Sequence, residues 1–91
     1  MATTMITMHQ VEDFKTWKQG FDAGAEMRNQ AGLVVKEIYQ SVDDANSVTI
    51  ISEVESKDIA LALMNSPQTQ EAIKKSGVVS EPKLIFLNKA N

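Results

Sequence analysis

Among the charged and titratable residues of this sequence, three are candidates for acid–base chemistry or for binding an anion at a site: Arg28, His9 and Glu37. Helical spacing places Arg28 within about 40° of Phe14, on the apolar side of a predicted helix. From there a guanidinium could hold a carboxylate or an enolate through two hydrogen bonds. His9 is the only histidine and could act as a general base near neutral pH. Each residue also has a structural explanation. Arg28 can be a cation at a helix end, and His9 can be a partly exposed residue at a strand end.

Glu37 and Tyr39 lie two residues apart in a predicted strand, so they are expected to share one face with Ser52 of the next strand. A carboxylate among Val side chains needs a partner. Arg28 is the nearest candidate if this face meets the helices. An Arg28–Glu37 pair could be structural or could form the polar end of a pocket, and Trp17 lies on the same predicted helix as Arg28. The sequence leaves both alternatives open.

Composition excludes several other kinds of chemistry. The 91 residues contain no Cys and one His, which rules out disulfides, thiol catalysis and a two-His metal site. Twelve acidic against nine basic residues give a net charge of −3, which argues against a nucleic-acid partner. No apolar run has the length of a membrane span, and residues 1–10 lack a basic leader. We therefore expect a cytoplasmic protein with no metal, no cofactor and no membrane partner.

The hydrophobic pattern predicts the element order β-α-β-β-α-β. The predicted strands are 3–10, 33–39, 48–54 and 82–88. A helix begins at Asp13 and ends at Gly32, and two shorter helical segments follow the capping residues Ser56 and Ser66. This order is typical of an α+β, ferredoxin-like domain over residues 1–91, in which the helices cover one face of a four-stranded antiparallel sheet.

The predicted strands carry more apolar side chains than the helices can cover. A four-residue hairpin turn at 43–46 pairs Lys36 with Glu53 across the strands. This register places Val34, Ile38 and Ile51 on one face and Val35, Tyr39, Val48, Ile50 and Val54 on the other. Each large apolar side chain left in water costs about 1.5–3 kcal/mol. We therefore expect a homodimer in which a second copy covers the free sheet face.

The sequence resembles the dimeric α/β-barrel superfamily, and within it small proteins related to antibiotic-biosynthesis monooxygenases. The likeness spans essentially the whole chain. It rests on 13–18 (DFKTWK), 21–22 (FD), Gly32, 39–41 (YQS), 44–48 (DANSV) and 66–67 (SP). The resemblance implies two ferredoxin-like sheets paired into a barrel, with a cavity between the helices and the sheet of each subunit. Members of this superfamily include cofactor-free monooxygenases, isomerases and proteins without a known activity.

Two hypotheses about function follow. In the first, a homodimer binds a small aromatic or carboxylate ligand between helices and sheet, with Arg28, Trp17 and Tyr39 as binding residues, and the protein need not be an enzyme. In the second, the protein is a cofactor-independent monooxygenase-like or isomerase-like enzyme. Arg28 then orients the substrate anion, and His9 or Glu37 takes a proton from it. The sequence does not decide between a binding protein and an enzyme.

Overall fold

Four strands and four helices make up the chain in the computed structural model, which describes residues 3–90. The strands are β1 Thr3–Gln10, β2 Val34–Gln40, β3 Ser47–Val54 and β4 Lys83–Leu87. The helices are α1 Phe14–Ala23, α2 Ala25–Gln30, α3 Lys57–Met64 and α4 Pro67–Lys75. All neighbouring strands are antiparallel, in the order β2-β3-β1-β4. The predicted α+β, ferredoxin-like fold is confirmed.

Three helices begin at the capping residues that the sequence indicates. The side chains of Asp13, Ser56 and Ser66 each accept a hydrogen bond from the backbone N–H three residues later, at 3.0–3.2 Å. Pro67 occupies the first turn of α4, where its missing N–H would have no helical partner. These caps determine the residues at which α1, α3 and α4 begin.

The first helical region consists of two helices rather than the single predicted one. α1 ends at Ala23, and the N–H of Gly24 donates to the carbonyl of Phe21 at 3.1 Å. A glycine inside a helix is less favourable than Ala by about 1 kcal/mol, which makes this a favourable place for a break. Gly32, with a φ of +86°, ends the second helix as predicted.

The hairpin turn is one residue longer than predicted. The N–H of Ser41 donates to the carbonyl of Ser47 at 2.9 Å, so residues 42–46 form the turn. Tyr39 consequently pairs with Thr49 instead of Ile50. Because side chains alternate along a strand, this shift of one residue moves Tyr39 to the opposite face. The predicted position of Tyr39 beside Val35 and Ile50 is therefore wrong.

A β-bulge at Lys36 reverses the effect of the longer turn on the residues that precede it, so that Val34 and Val35 lie on their predicted faces. The pairing shifts between Val35 and Glu37, which leaves Lys36 as the extra residue. On the N-terminal side of the bulge Val35 pairs with Ser52, and on its C-terminal side Ile38 pairs with Ile50. Ile38 therefore faces the helices, contrary to the prediction. The Lys36–Glu53 ion pair forms as predicted, at 3.6 Å, although the two residues are not directly opposite.

The helices all pack on one face of the sheet, which we call the inner face. Two buried clusters lie there: Val11, Trp17, Val48 and Ile50 near α1, and Met5, Leu33, Val54 and Ala60 near α3. The opposite, outer face carries Ile6, Met8, Val34, Tyr39, Ile51, Ile85 and Leu87. Val34, Tyr39 and Leu87 are 41–49% exposed. The predicted surplus of apolar strand surface is thus present.

Within residues 3–90, no helix combines the length and the apolar character needed to cross a bilayer.

Candidate functional site

A cavity of about 390 Å³ lies between the inner face and the helices. Met5, Thr7, His9, Ile50 and Ser52 form its floor on β1 and β3, and all four helices contribute to its walls. This volume lies within the range of sites that bind small organic molecules. The cavity is therefore the candidate site of the protein.

A continuous stack of four side chains, which we call the aromatic stack, runs from the floor of the cavity along one of its helical walls. The His9 ring meets Trp17 edge-on with centroids 5.4 Å apart. Trp17 stacks on Phe21 at 4.7 Å. The guanidinium carbon of Arg28 lies 3.7 Å from the centre of the Phe21 ring, a cation–π contact. His9 and Arg28 thus lie at opposite ends of the stack, joined by two aromatic rings.

Arg28 brings a positive charge to this cavity. Its Nε is buried and has no hydrogen-bond partner within the described chain. Burial lowers the pKa of the guanidinium, and the charge of Asp22 partly offsets this effect. The group stays protonated at neutral pH, because arginine does not lose its proton in proteins. The anion-binding role of Arg28 remains a prediction, and its position beside the cavity is compatible with that role.

Gly24 leaves the space that the Arg28 guanidinium occupies. A Cβ at position 24 would lie 3.1 Å from Nη1 of Arg28, so a side chain there would push the guanidinium aside. At Gly20, by contrast, an added Cβ would meet only the Ser76 side chain, at 3.9 Å. Gly20 therefore lines the cavity without being required by close packing.

His9 supplies a proton-accepting group at the other end of the aromatic stack. Its Nδ1 is buried, and nothing among residues 3–90 hydrogen-bonds to it. Burial lowers the pKa of the imidazole below its ordinary value of 6.5, and the interaction of the ring with the backbone of His9 itself partly opposes this shift. The ring is therefore neutral at pH 7 and can accept a proton or a hydrogen bond. Its catalytic role remains a prediction.

Protonation of His9 is expected to destabilise the fold. Because the pKa of His9 is lower in the folded chain than its ordinary 6.5, the unfolded chain binds more protons as the pH falls through 6.5. Stability is therefore full above pH 6.5 and decreases below it. Urea unfolding at pH 7.5 and at pH 5.5 measures this loss, and His9→Asn is expected to abolish most of it.

The carboxyl groups of Asp13 and Asp44 titrate in a separate pH window. Hydrogen bonds lower the pKa of both below 3.8, so their contribution to stability is lost only under more acidic conditions.

An equal decrease in stability for the parent and His9→Asn between pH 7.5 and 5.5 would show that His9 is not the group responsible.

Glu37 and Tyr39 lie outside the cavity. Both are exposed on the outer face, where the Tyr39 hydroxyl donates to Oε2 of Glu37. This hydrogen bond and the carboxylate charge raise the pKa of Tyr39. The predicted Arg28–Glu37 contact and the placement of Tyr39 in a pocket are wrong, and Ser52 does not share their face. The cause is the five-residue turn, which the residue types do not distinguish from a four-residue one.

Two further polar residues of the cavity, Thr7 and Ser52, were not proposed as site residues from the sequence. They are 5% and 1% exposed and occupy inner-face positions of β1 and β3. A signal for Ser52 exists in the sequence, because Val48, Ile50 and Val54 fill the other inner positions of the same strand. Among residues 3–90, no group of three or more His, Cys, Asp or Glu side chains is arranged to hold a metal ion.

No protein-family model matches this sequence, and no curated protein matches it. Solved structures do match. A candidate antibiotic biosynthesis monooxygenase of Bordetella bronchiseptica has a TM-score of 0.83 at 16% identity, over 99% of this chain and 98% of that one. SnoaB of Streptomyces nogalater, a cofactor-independent oxygenase, has a TM-score of 0.72 at 16% identity, over 98% and 95% of the two chains. Rv0793 of Mycobacterium tuberculosis has a TM-score of 0.69 at 12% identity, over 100% of this chain and 97% of that one. This chain therefore has the ferredoxin-like fold of the antibiotic-biosynthesis-monooxygenase-like proteins.

Proposed function

We propose that this protein binds a small aromatic anion in the cavity between helices and sheet. The observation that carries the proposal is the buried Nε of Arg28, a cationic donor without a partner in the described chain, beside a cavity lined mainly by apolar side chains. Trp17 and Phe21 line the cavity with aromatic carbon atoms that suit an apolar ring system, and the guanidinium suits a carboxylate or a phenolate. A hydrogen bond to a charged group contributes about 1.5–3 kcal/mol, so pairing with a ligand would stabilise the complex.

We further propose that the protein is a homodimer that packs outer face against outer face. Ile6 pairs with Ile51 on one side and with Ile85 on the other. The three side chains therefore form a row across the centre of this face. The three isoleucines are half-buried, and the same face carries the exposed Val34, Tyr39 and Leu87. An apolar surface that is open to solvent marks a protein interface. A second copy supplies a matching surface, since a two-fold dimer uses the same patch of both subunits.

The binding proposal is tested with 2-naphthoate, an aromatic carboxylate of suitable size. Trp17 is the only tryptophan and lines the cavity, so its fluorescence reports an occupant directly. We expect 2-naphthoate to change the Trp17 emission with saturation and to raise the midpoint of thermal unfolding. Gly20→Leu, which extends a side chain into the open space at Gly20, is expected to lower the affinity at least about tenfold, because it fills part of the cavity.

Gln19→Leu is the matched control for this variant. Gln19 is exposed on the same helix, so this change leaves the cavity untouched. Equal affinities for the parent and both variants would place the ligand elsewhere. An absence of binding to the parent at millimolar 2-naphthoate would contradict the proposed ligand class.

A second candidate function, cofactor-independent oxygenation or isomerisation, is supported by the neutral imidazole of His9 in the same cavity, whose Nδ1 has no hydrogen-bond partner in the described chain. In such a reaction His9 takes a proton from a substrate carbon, and Arg28 stabilises the resulting anion. Glu37 cannot take this part, since it lies on the outer face. Oxygen uptake or proton exchange with hydroxylated naphthoates, lost in His9→Asn while binding persists, would distinguish an enzyme from a binding protein.

A further inference from the structure

Ser52 is the most deeply buried polar residue of the cavity floor. It is 1% exposed, it lines the cavity, and its Oγ has no hydrogen-bond partner within residues 3–90. The strand register places it between Met5 on β1 and Val35 on β2. An unpaired hydroxyl thus lies among apolar neighbours, in a part of the fold where polar groups are normally satisfied.

The fold itself gives no reason for a hydroxyl at this position. Val48, Ile50 and Val54 occupy the other inner-face positions of β3, and an aliphatic side chain at 52 would extend the same packing. Burying an unsatisfied hydroxyl lowers stability. A hydrogen bond from a bound ligand would satisfy the hydroxyl and would explain why a serine occupies this position.

Ser52 also belongs to a line of polar side chains on the cavity floor, which we call the polar track. Thr7 pairs with Ile50 and is therefore the diagonal neighbour of Ser52 across β1 and β3. His9 follows two residues later on β1, on the same face. All three residues line the cavity. The polar track lies on the sheet, whereas Arg28 lies on the helical wall.

We propose that Ser52 is a specificity-determining residue that hydrogen-bonds a second oxygen of the ligand. This inference rests on the proposed function, in which Arg28 holds the acidic group. A ligand that pairs with both the helical wall and the floor must carry two polar groups on one apolar frame. The chemical class that fits is an aromatic carboxylate with an additional hydroxyl or carbonyl oxygen on its rings.

The test compares 2-naphthoate with three hydroxy derivatives that are isomers of one another, 3-, 5- and 6-hydroxy-2-naphthoate, using Trp17 fluorescence. We expect the parent to bind at least one hydroxy isomer more tightly than 2-naphthoate, by roughly fivefold, the effect of one hydrogen bond. Ser52→Ala is expected to remove this preference and to leave the affinity for 2-naphthoate unchanged. Ser47→Ala, the same change on the outer face of β3, is expected to keep the preference.

Urea unfolding without ligand gives an independent readout. Because the Ser52 hydroxyl has no partner, Ser52→Ala is expected to be at least as stable as the parent. A clear loss of stability relative to Ser47→Ala would mean that the hydroxyl is paired within the fold and would overturn the inference. So would binding of 2-naphthoate without any preference for a hydroxy isomer, or a preference that survives in Ser52→Ala. If 2-naphthoate does not bind the parent at all, the proposed function fails first, and this inference fails with it.

Discussion

Replacing Ile6 by aspartate is expected to prevent the proposed dimer from forming and to leave the protein as a monomer. Ile6 is at the centre of the apolar row on the outer face, with Ile51 and Ile85 on either side. In a dimer built on this face, each subunit would bury one unpaired carboxylate, which costs several kcal/mol. The dissociation constant should therefore rise at least about 100-fold. Light scattering at micromolar concentration should show the parent at twice the mass of the 10.0 kDa chain and the variant at the mass of one chain.

Ile59→Asp is the matched control for this change. Ile59 is 45% exposed on the first turn of α3, away from the outer face, and an acidic residue is tolerated there. It should leave the dimer intact. A parent protein with the mass of one chain at micromolar concentration would remove the outer face as an interface, and a dimeric Ile6→Asp variant would place the interface elsewhere.

Arg28→Met is expected to weaken the binding of 2-naphthoate by roughly 10-fold to 100-fold, the range for loss of a hydrogen bond to a charged group. Methionine keeps much of the length of the side chain and removes the charge. The affinity for naphthalene-2-carboxamide, which has the same shape and no charge, should change little. Stability should fall by no more than about 1 kcal/mol, the contribution of the cation–π contact with Phe21, because the Arg28 Nε has no hydrogen-bond partner in the described chain.

Two further variants separate charge from position in this prediction. Lys18→Met removes one positive charge from the exposed side of α1, where Lys18 pairs with Asp22 at 2.7 Å, and should leave the affinity unchanged. Gly24→Ala keeps the charge and displaces the guanidinium, so an intermediate loss is expected. Equal weakening by Lys18→Met and Arg28→Met would indicate a general electrostatic effect and would contradict a specific role for Arg28.

Much of the fold could be predicted from local signals in the sequence. The caps Asp13, Ser56 and Ser66 and the terminating Gly32 act through their own backbone neighbours, so residue type alone places them. The strand pattern was equally clear, and β1 has the predicted bounds of residues 3–10. These features require no knowledge of distant contacts.

The register of the β2–β3 hairpin could not be predicted from local signals. A four-residue turn at 43–46 and a five-residue turn at 42–46 differ only by Val42, and the bulge at Lys36 carries no signal of its own. The choice depends on how the whole sheet packs its inner face. One residue of error was enough to place Glu37 and Tyr39 on the wrong side.

The candidate site was predicted where it depends on helix geometry. Arg28 and Trp17 line the cavity because helical spacing directs them toward the sheet, and the break at Gly24 does not reverse this. Ser52 has no motif around it, and the sequence indicates only its inner-face position among Val48, Ile50 and Val54. The missing partner of its hydroxyl is evident only in the folded chain.

The five-residue turn has a consequence for how this scaffold can vary. The turn and the bulge at Lys36 together invert only the short stretch 37–41 relative to the rest of the sheet. A related chain with one residue fewer in the loop, and without the bulge, would point an acid and a phenol into the cavity while its other strands stayed in place. Loop length can thus change which side chains line the cavity of this fold without any substitution in its strands.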